Sequence, residues 1–377
     1  MRSVRDIPVL ENIPVLVRAA LNAEVEKGKV TEDYRLRAAL PTIEYLAKRH
    51  ARVVLLGHIS GKGTESLRPM QEAMKKWIPS IAFCPTTSGE EARAAIRALS
   101  PGGVLMLENL RRDVREEKND PAFARELAEL GDIFIEDAFD VCHRAHASVV
   151  GIPKFLPSYA GLLVEKEVNA LTKALAPATP SLAIIGGAKF STKEPVLAKL
   201  INTYDQVFIG GALANDFIQA SGKPVGTSLV SGADQDKLKM LLATGKILLP
   251  IDYVVAPKGK TRNEGRVCEP DEVLPEEAIL DNGPASIALL NERIQNAKTV
   301  LWNGPLGNYE NGFVEGTEAL AVIVARAKAY SILGGGDTVA AIEKTGVEKH
   351  IDFVSTGGGA MLEFLASGTL PGLKALS

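Results

Sequence analysis

Short apolar runs rich in β-branched residues alternate with longer stretches of helical periodicity along most of this 377-residue chain. The candidate strands lie at 52–56, 103–107, 132–135, 182–185, 206–209, 247–255, 299–302, 330–333 and 351–354. The candidate helices between them include 90–99, 121–130, 235–243, 285–295 and 315–328, and one near 36–47 in which Pro41 should cause a kink or mark the first turn. This alternation predicts an α/β protein with parallel sheets covered by helices on both faces.

Glycine-rich turns follow five of these runs. G-G-G-D-T (334–338) and S-T-G-G-G-A (355–360) each contain three successive glycines, and G-G-A-K-F-S-T-K (186–193), G-G-A (210–212) and W-N-G-P-L-G (302–307) follow three other runs. Bare N–H groups in such loops, and the positive end of a following helix, attract phosphate. The alternative is that the glycines only make strand-to-helix turns and that Lys189 and Lys193 are solvated surface lysines.

Asp337, beside the first triplet, is the candidate metal ligand. A nucleoside phosphate usually binds together with Mg²⁺, which prefers oxygen ligands and keeps several of its waters. The chain has no standard P-loop, because the nearest segment, 57–64, is one residue short between its glycines and has Gly63 where Ser or Thr should follow the lysine. No G-x-G-x-x-G opens a helix in a first βαβ unit, so a dinucleotide cofactor is not favoured.

Composition limits the class of partner. A net charge of −3, with 46% apolar and 24% charged residues, argues against a nucleic-acid-binding surface. Cys84, Cys142 and Cys268 are too far apart for a zinc site or a disulfide framework, which favours a reducing compartment. No apolar stretch approaches the roughly 20 residues of a membrane helix, and the N-terminus lacks a signal-peptide core. We therefore expect a cytoplasmic protein with small-molecule partners.

The length predicts two domains, and a helical segment followed by Pro177 and Pro180 is the expected connector. We expect an N-terminal domain at 1–162, the connector at 163–180, a C-terminal domain at 181–365, and a tail at 366–377 that packs back on the N-terminal domain. Candidate cations concentrate before the connector, at Arg35, His58, Arg111, His143, Arg144 and His146, and Asn22 follows the run 15–17. Arginine suits a bidentate grip on carboxylate or phosphate, although the alternative for each arginine is a surface charge.

Taken in order, these segments resemble the motifs of the phosphoglycerate kinase family. The matching stretches are V-R-A-A-L-N (17–22), R-L-R-A-A-L-P-T-I (35–43), G-H-I (57–59), L-E-N-L-R (107–111), D-A-F with H-R-A-H-A-S (137–148), L-W-N-G-P-L-G (301–307), the segment 186–193 and both triplets. The resemblance implies two Rossmann-like parallel-sheet domains joined by a helix and hinge. It also implies reversible phosphoryl transfer between 1,3-bisphosphoglycerate and Mg-ADP, giving 3-phosphoglycerate and ATP in a direct in-line step on domain closure, by a monomer.

The resemblance also assigns roles by matching position. Asn22, Arg35, His58, Arg111 and Arg144 would bind the phosphoglycerate, and the catalytic set would be Arg35, Lys189, Gly336 and Gly358. Asp337 would ligate Mg²⁺ and contact the nucleotide, and Glu310 would reach the ribose. Leu229 and Pro305 would line the adenine pocket. The other implied nucleotide contacts are Gly187, Lys189, Lys193, Gly211, Asn303, Gly335, Gly336 and Thr338.

The chain departs from the family pattern mainly in its N-terminal half. Ala20 stands where V-R-x-D-x-N has an aspartate, which removes a hydrogen bond to the substrate hydroxyl worth about 0.5–1.5 kcal/mol. Gly61 stands where an arginine is expected, with Lys62 beside it, while Asp140 replaces a glycine and Arg112 a phenylalanine. These changes leave two alternatives open: a kinase acting on a different phosphorylated or carboxylic acid, and a nucleotide-binding paralogue without turnover.

Overall fold

The computed structural model describes residues 1–59, 63–188, 190–257 and 259–377. Its internal contacts divide the chain into two compact units. The N-terminal unit comprises Met1–Asn169 and Thr369–Ser377, and the C-terminal unit comprises Ala170–Gly368. The end of the chain is held in the N-terminal unit, where the Gly372 N–H donates to the Cys142 carbonyl at 2.8 Å.

A parallel sheet forms the centre of the N-terminal unit. The strands are β1 Pro14–Ala19, β2 Val25–Glu26, β3 Lys29–Val30, β4 Arg52–Leu56, β5 Ala82–Phe83, β6 Val104–Met106, β7 Ile133–Asp137 and β8 Ser158–Ala160. The helices are α1 Tyr34–Lys48, α2 Arg68–Met74, α3 Gly89–Arg97, α4 Pro121–Ala128 and α5 Leu162–Ala174, of which α5 begins in this unit and ends in the C-terminal unit. Within the described residues the sheet order is β5-β6-β4-β1-β7-β8, and β2 pairs with β3 in a separate antiparallel ribbon.

Helices cover both faces of this sheet because successive strand residues point to opposite sides. Val15 of β1 belongs to the buried cluster that contains Ile43 of α1, whereas the next residue, Leu16, belongs to the cluster that contains Leu127 of α4. A strand buried on both faces reads as a continuous apolar run, which is the pattern on which the strand prediction rested.

A second parallel sheet forms the centre of the C-terminal unit. The strands are β9 Ser181–Ile185, β10 Gln206–Ile209, β11 Ile247–Leu248, β12 Tyr253–Pro257, β13 Arg266–Cys268, β14 Glu277–Asn282, β15 Thr299–Asn303, β16 Tyr330–Gly334 and β17 Phe353–Ser355. The helices are α6 Phe190–Thr203, α7 Gly211–Ala220, α8 Gln235–Leu242, α9 Pro284–Asn296, α10 Glu315–Arg326, α11 Gly336–Thr345 and α12 Gly358–Ser367, and α13 Pro371–Lys374 lies in the N-terminal unit. The parallel sheet has the order β11-β10-β9-β15-β16-β17.

The predicted α/β class with parallel sheets is confirmed, and most predicted boundaries differ from the observed ones by one or two residues. The predicted single strand at 247–255 is wrong. It is two strands in different sheets, because β12 turns away to form an antiparallel sheet with β13 and β14. Pro41 does not mark a first turn but lies inside α1, on its exposed side.

None of the helices among the described residues combines the length and the apolar character that a bilayer crossing requires.

The turn before β12 is fixed by a buried carboxylate. Asp252 caps α9 from outside the helix, since its Oδ2 accepts from the Ala285 N–H at 2.9 Å and its Oδ1 accepts from the Ser286 N–H at 2.7 Å. The Ser286 hydroxyl also donates to Oδ1, at 2.6 Å. These bonds satisfy N–H groups that the first turn of a helix leaves without intrahelical partners.

We expect Asp252→Ala to lower the free energy of unfolding by about 2–4 kcal/mol, because the buried Ser286 N–H and hydroxyl and the partly buried Ala285 N–H lose their acceptor. The measurement is urea unfolding followed by tryptophan fluorescence. Asp234→Ala is the matched control, since Asp234 caps α8 at an exposed position and accepts from the Asp236 and Lys237 N–H groups. The control should lose about 1 kcal/mol. Equal losses in the two variants would contradict the importance of the buried cap.

Candidate functional site

A buried arginine organises the polar groups at the carboxyl ends of the N-terminal strands. Arg18, the penultimate residue of β1, is only 1% exposed. Its Nε donates to Ser148 Oγ at 3.0 Å, and its Nη2 lies 2.9 Å from His58 Nδ1. Glu116 accepts from both the Ser148 N–H and the Ser148 hydroxyl. With Arg18 donating to Nδ1, the neutral His58 ring carries its proton on Nε2.

The histidines of this group are uncharged at neutral pH. Burial lowers the pKa of His58 well below its ordinary value, and the charges of Arg18 and Arg111 lower it further. Burial, with the Arg111 charge next, lowers the pKa of His146 to about 4. Burial and the Arg144 charge lower the pKa of His143. The lowered pKa values favour the neutral form of these histidines, so the positive charge of this group comes from the arginines.

The predicted arginines surround these histidines. Arg111 follows β6, and its Nε lies 3.1 Å from Glu117 Oε1. Burial lowers the pKa of Arg111, and the like charges of Arg144 and Arg18 lower it further, although Glu117 raises it. Arg144 is exposed. Positive charges that already repel one another favour the binding of an anion.

Arg35 and Asn22 line a neighbouring cleft of about 640 Å³ together with Ile59 and Ser66. Arg35 lies in the first turn of α1 and donates from Nη1 to the Asn22 carbonyl at 3.0 Å. Ile59 directly follows His58 in the chain, so this cleft adjoins the arginine and histidine group. The predicted residues Gly61 and Lys62 lie outside the described residues.

Sequence reasoning missed Arg18 and Glu116 as members of this group. Arg18 stands inside an apolar strand run, where a charged residue is easily taken for the end of the strand. Its position in V-R-A-A-L-N was the available signal. Glu116 gave no signal, because it lies in the charged segment 111–118, where solvated side chains are the ordinary expectation.

The two glycine triplets meet at the carboxyl ends of the C-terminal strands. A Cβ added to Gly358 would lie 2.7 Å from the Gly335 Cα, so the two backbones are too close for side chains. Asn303, the last residue of β15, donates from Nδ2 to the Gly358 carbonyl at 3.4 Å. The Gly304 N–H donates to Thr338 Oγ1 at 3.1 Å. These contacts join the loops after β15, β16 and β17.

The loop after β9 is tied to its neighbours in the same way. The Gly187 N–H donates to the Pro305 carbonyl at 3.0 Å. Gly211 has φ +63°, and a Cβ there would lie 2.6 Å from the Gly187 nitrogen. Lys193 of α6 is buried and donates from Nζ to the Gly186 carbonyl. Lys189, the other predicted lysine, lies outside the described residues.

These loops border a cleft of about 290 Å³ within the C-terminal unit. Its lining includes the predicted residues Gly187, Gly211, Leu229, Pro305, Glu310 and Asp337. The other predicted residues, Lys193, Asn303, Gly335, Gly336, Thr338 and Gly358, lie on or beside the lining loops instead of in the lining itself. The structure thus brings the predicted nucleotide contacts that it describes to one edge of one sheet.

Charge in this cleft is set by burial. Burial lowers the pKa of Lys193 to about 8, while the nearby charge of Asp337 raises it. Burial raises the pKa of Asp337, the charge of Glu310 raises it further, and Lys193 lowers it. Among the described residues, no three His, Cys, Asp or Glu side chains form a group that could hold a metal ion. A cation at Asp337 would therefore draw its other ligands from a bound phosphate and from water, which is the coordination that Mg²⁺ prefers.

Sequence reasoning also missed Asp281, which lines this cleft. Burial raises the pKa of Asp281 to about 7, and its carboxylate accepts from the Gly316 and Asn282 N–H groups. The segment D-N-G-P at 281–284 was the available signal. It was overlooked because β14, which ends there, was not predicted as a strand.

Comparison with known proteins agrees with the motif pattern along the chain. The family model described as phosphoglycerate kinase matches residues 4–368. A phosphoglycerate kinase of Pelotomaculum thermopropionicum is 43% identical over 391 residues, covering 100% of this chain and 98% of that protein. Another, from Herpetosiphon aurantiacus, is 45% identical over 376 residues, covering 96% of this chain and 95% of that protein.

Solved structures agree. A phosphoglycerate kinase structure from Coxiella burnetii has a TM-score of 0.84 at 36% identity and covers 99% of this chain and 98% of its own. A crystal structure of phosphoglycerate kinase from Pyrococcus horikoshii OT3 has a TM-score of 0.88 at 30% identity, with 100% and 98% coverage. The resemblance found in the sequence is confirmed: the chain is a kinase and belongs to the phosphoglycerate kinase family.

Proposed function

We propose that this protein transfers a phosphoryl group reversibly between 1,3-bisphosphoglycerate and Mg-ADP, giving 3-phosphoglycerate and ATP. The main support is the placement of two groups of residues in this chain. The arginine group lies in one unit, and the glycine loops with Asp337 lie in the other. The similarity to these relatives favours neither of the two alternatives, a kinase for a different acid or a nucleotide-binding paralogue without turnover. The reaction is a step of glycolysis, and we place it in the cytoplasm and in a monomer.

The N-terminal unit is the proposed site for the phosphoglycerate, held by Asn22, Arg35, His58, Arg111 and Arg144. This ligand carries a carboxylate and a phosphate, and arginine grips either with two parallel hydrogen bonds. Neutral His58 offers its Nε2 proton, because Arg18 occupies Nδ1. Arg18 acts as a positioning residue in this account, since its partners are Ser148, His58 and its own backbone.

The C-terminal unit is the proposed site for the nucleotide. Leu229, which is 61% exposed, and Pro305 offer apolar surface to the adenine, and Glu310 reaches the ribose. Gly187, Gly211, Gly335 and Thr338 present backbone or hydroxyl groups to the phosphates, with Asn303 supporting their loops and Lys189 and Lys193 supplying charge. Asp337 would hold Mg²⁺, which when bound neutralises negative charge on the phosphates.

Transfer in this account depends on positioning and charge neutralisation, with no covalent enzyme intermediate. Gly336 and Gly358 are the first residues of α11 and α12, so their N–H groups have no intrahelical partners and lie at positive helix ends. We assign these two glycines, with Arg35 and Lys189, to the charge that develops on the moving phosphoryl group. Because the two ligands belong to different units, the reaction requires the units to close about a hinge and exclude water.

We expect wild-type protein to show saturable turnover with Mg-ATP and 3-phosphoglycerate, measured by coupling product formation to NADH oxidation. Arg35→Ala should lower kcat by about 10²–10³-fold, the loss typical of one donor that stabilises transition-state charge. Its affinity for Mg-ADP should not change, because Arg35 belongs to the other ligand.

Arg37→Ala is the matched control for Arg35→Ala. Arg37 lies on the same helix and pairs with Asp33 at a half-buried position. This control should keep wild-type kcat. No turnover by wild-type protein that still binds Mg-ADP would refute the proposed function, whereas full turnover by Arg35→Ala would refute only the role given to Arg35.

Asp337→Asn should weaken Mg-ADP binding at least about tenfold. Changing a residue that only supports a metal ligand already costs about this much affinity, and Asp337 is proposed to bind the metal itself. Binding of ADP without metal should stay the same or tighten, because a carboxylate no longer faces the phosphates. Titration calorimetry with and without Mg²⁺ measures both affinities. The exposed Asp236→Asn on α8 is the control. A metal-dependent affinity that Asp337→Asn leaves intact would mean that the metal binds elsewhere.

The pKa of Lys193 predicts how Mg-ADP binding depends on pH. Below about pH 8 the ammonium group is charged without ligand, and bound phosphate favours that charged form. Affinity should therefore fall as the pH rises above about 8, and binding there should take up a proton, measured by calorimetry in buffers of different ionisation enthalpy. Lys193→Met should abolish the proton uptake and weaken binding by roughly tenfold. Lys199→Met, at an exposed position on the same helix, should retain both. Uptake that persists in Lys193→Met would assign the proton to another group.

A further inference from the structure

A carboxylate stands among the arginines of the N-terminal unit. Asp140 lies in the short 3₁₀ helix Phe139–Val141 that follows β7. Its Oδ1 atom is buried and has no hydrogen-bond partner among the described residues. A buried carboxylate oxygen without a donor is unfavourable, so it needs either a compensating charge or a ligand that donates to it.

The compensating charge comes from three arginines, two of which are proposed to hold the phosphoglycerate. Burial raises the pKa of Asp140, and Arg35 lowers it most among the neighbouring charges, followed by Arg18 and Arg111. The carboxylate therefore belongs to the same electrostatic group as the anion-binding arginines. For a ligand that offers only negative charge, this arrangement is unfavourable because the carboxylate repels it.

Asp140 also follows β7, the neighbour of the strand β1 after which Ala20 lies. β1 and β7 are neighbouring parallel strands whose last paired residues are Ala19 and Asp137. The residues that follow them, Ala20 and Ala138, pack in one buried cluster with Val141. Position 20 therefore contributes only a methyl group at this edge of the sheet, and the turn after the adjacent strand brings a carboxylate to the same edge.

We propose that Asp140 is a specificity-determining residue that accepts a hydrogen bond from the hydroxyl of the bound phosphoglycerate. This inference rests on the proposed function. A phosphorylated acid with a hydroxyl beside its own carboxylate supplies the donor that Asp140 Oδ1 lacks. The hydrogen bond from that hydroxyl offsets the repulsion between Asp140 and the anionic ligand. An acid without that hydroxyl meets the repulsion alone. Asp140 thereby selects phosphorylated hydroxy acids over their deoxy analogues.

The test compares 3-phosphoglycerate with 3-(phosphonooxy)propanoate, which lacks the hydroxyl, by kcat/KM and by calorimetric binding without nucleotide. Wild-type protein should prefer 3-phosphoglycerate by about tenfold or more, as expected for a hydrogen bond to a charged group. Asp140→Ala should reduce that preference about tenfold while binding the deoxy analogue as well or better. Asp140→Asn, whose amide oxygen still accepts, should keep part of the preference. Asp132→Asn, at an exposed position just before the amino end of β7, should match wild type.

Failure of this inference can be distinguished from failure of the proposed function. If wild-type protein turns over 3-phosphoglycerate and Asp140→Ala prefers it over the deoxy analogue as strongly as wild type does, the inference is wrong and the proposed function stands. Equal losses for both acids would also overturn it, because they indicate a structural role. Wild-type protein that neither binds nor phosphorylates 3-phosphoglycerate would overturn the proposed function and this inference with it.

Discussion

Parallel pairing of strands is the constraint from which both sites follow. Strands that run in one direction end at one edge of a sheet, so the loops after them converge. In the N-terminal unit, β6, β4, β1 and β7 are consecutive neighbours, and the residues that follow or end them include Arg111, His58, Arg18 and Arg144. In the C-terminal unit, β10, β9, β15, β16 and β17 are likewise consecutive, and each ends in a glycine-bearing loop. In each unit, loops that are far apart in the sequence therefore lie side by side at one edge of the sheet.

Each site holds like charges together before a ligand arrives. In the N-terminal unit, the charges of Arg18, Arg111 and Arg144 lower the pKa of His58. The charges of Arg18 and Arg144 also lower the pKa of Arg111. In the C-terminal unit the charge of Glu310 adds to burial in raising the pKa of Asp337. A ligand of opposite charge is attracted to such an arrangement, which is how preorganised electrostatic sites act. The first site thus suits an anion and the second a metal with its phosphates.

Much of this organisation could be predicted from the sequence, because buried parallel strands and glycine turns leave strong local patterns. Gly335, Asp337 and Gly358 were found because each follows a continuous apolar run. Arg18 was missed because it interrupts such a run without ending it, and only the fold shows that its guanidinium is buried against Ser148 and His58. The antiparallel sheet was missed because β13 has only three residues and the short apolar centre of β14 is flanked by Glu277, Asp281 and Asn282. The pairing of both strands with β12 is decided by tertiary contacts.

Amide hydrogen exchange in the presence of each ligand alone would show whether the two ligands bind to different units. We expect 3-phosphoglycerate to slow exchange in the N-terminal unit, in the segments 18–23, 57–59 and 107–111. Mg-ADP should slow exchange in the C-terminal unit, in the segments 186–188, 210–212 and 335–338. If both ligands protect the same unit, or if neither ligand protects either unit, the two ligands do not bind to different units as proposed.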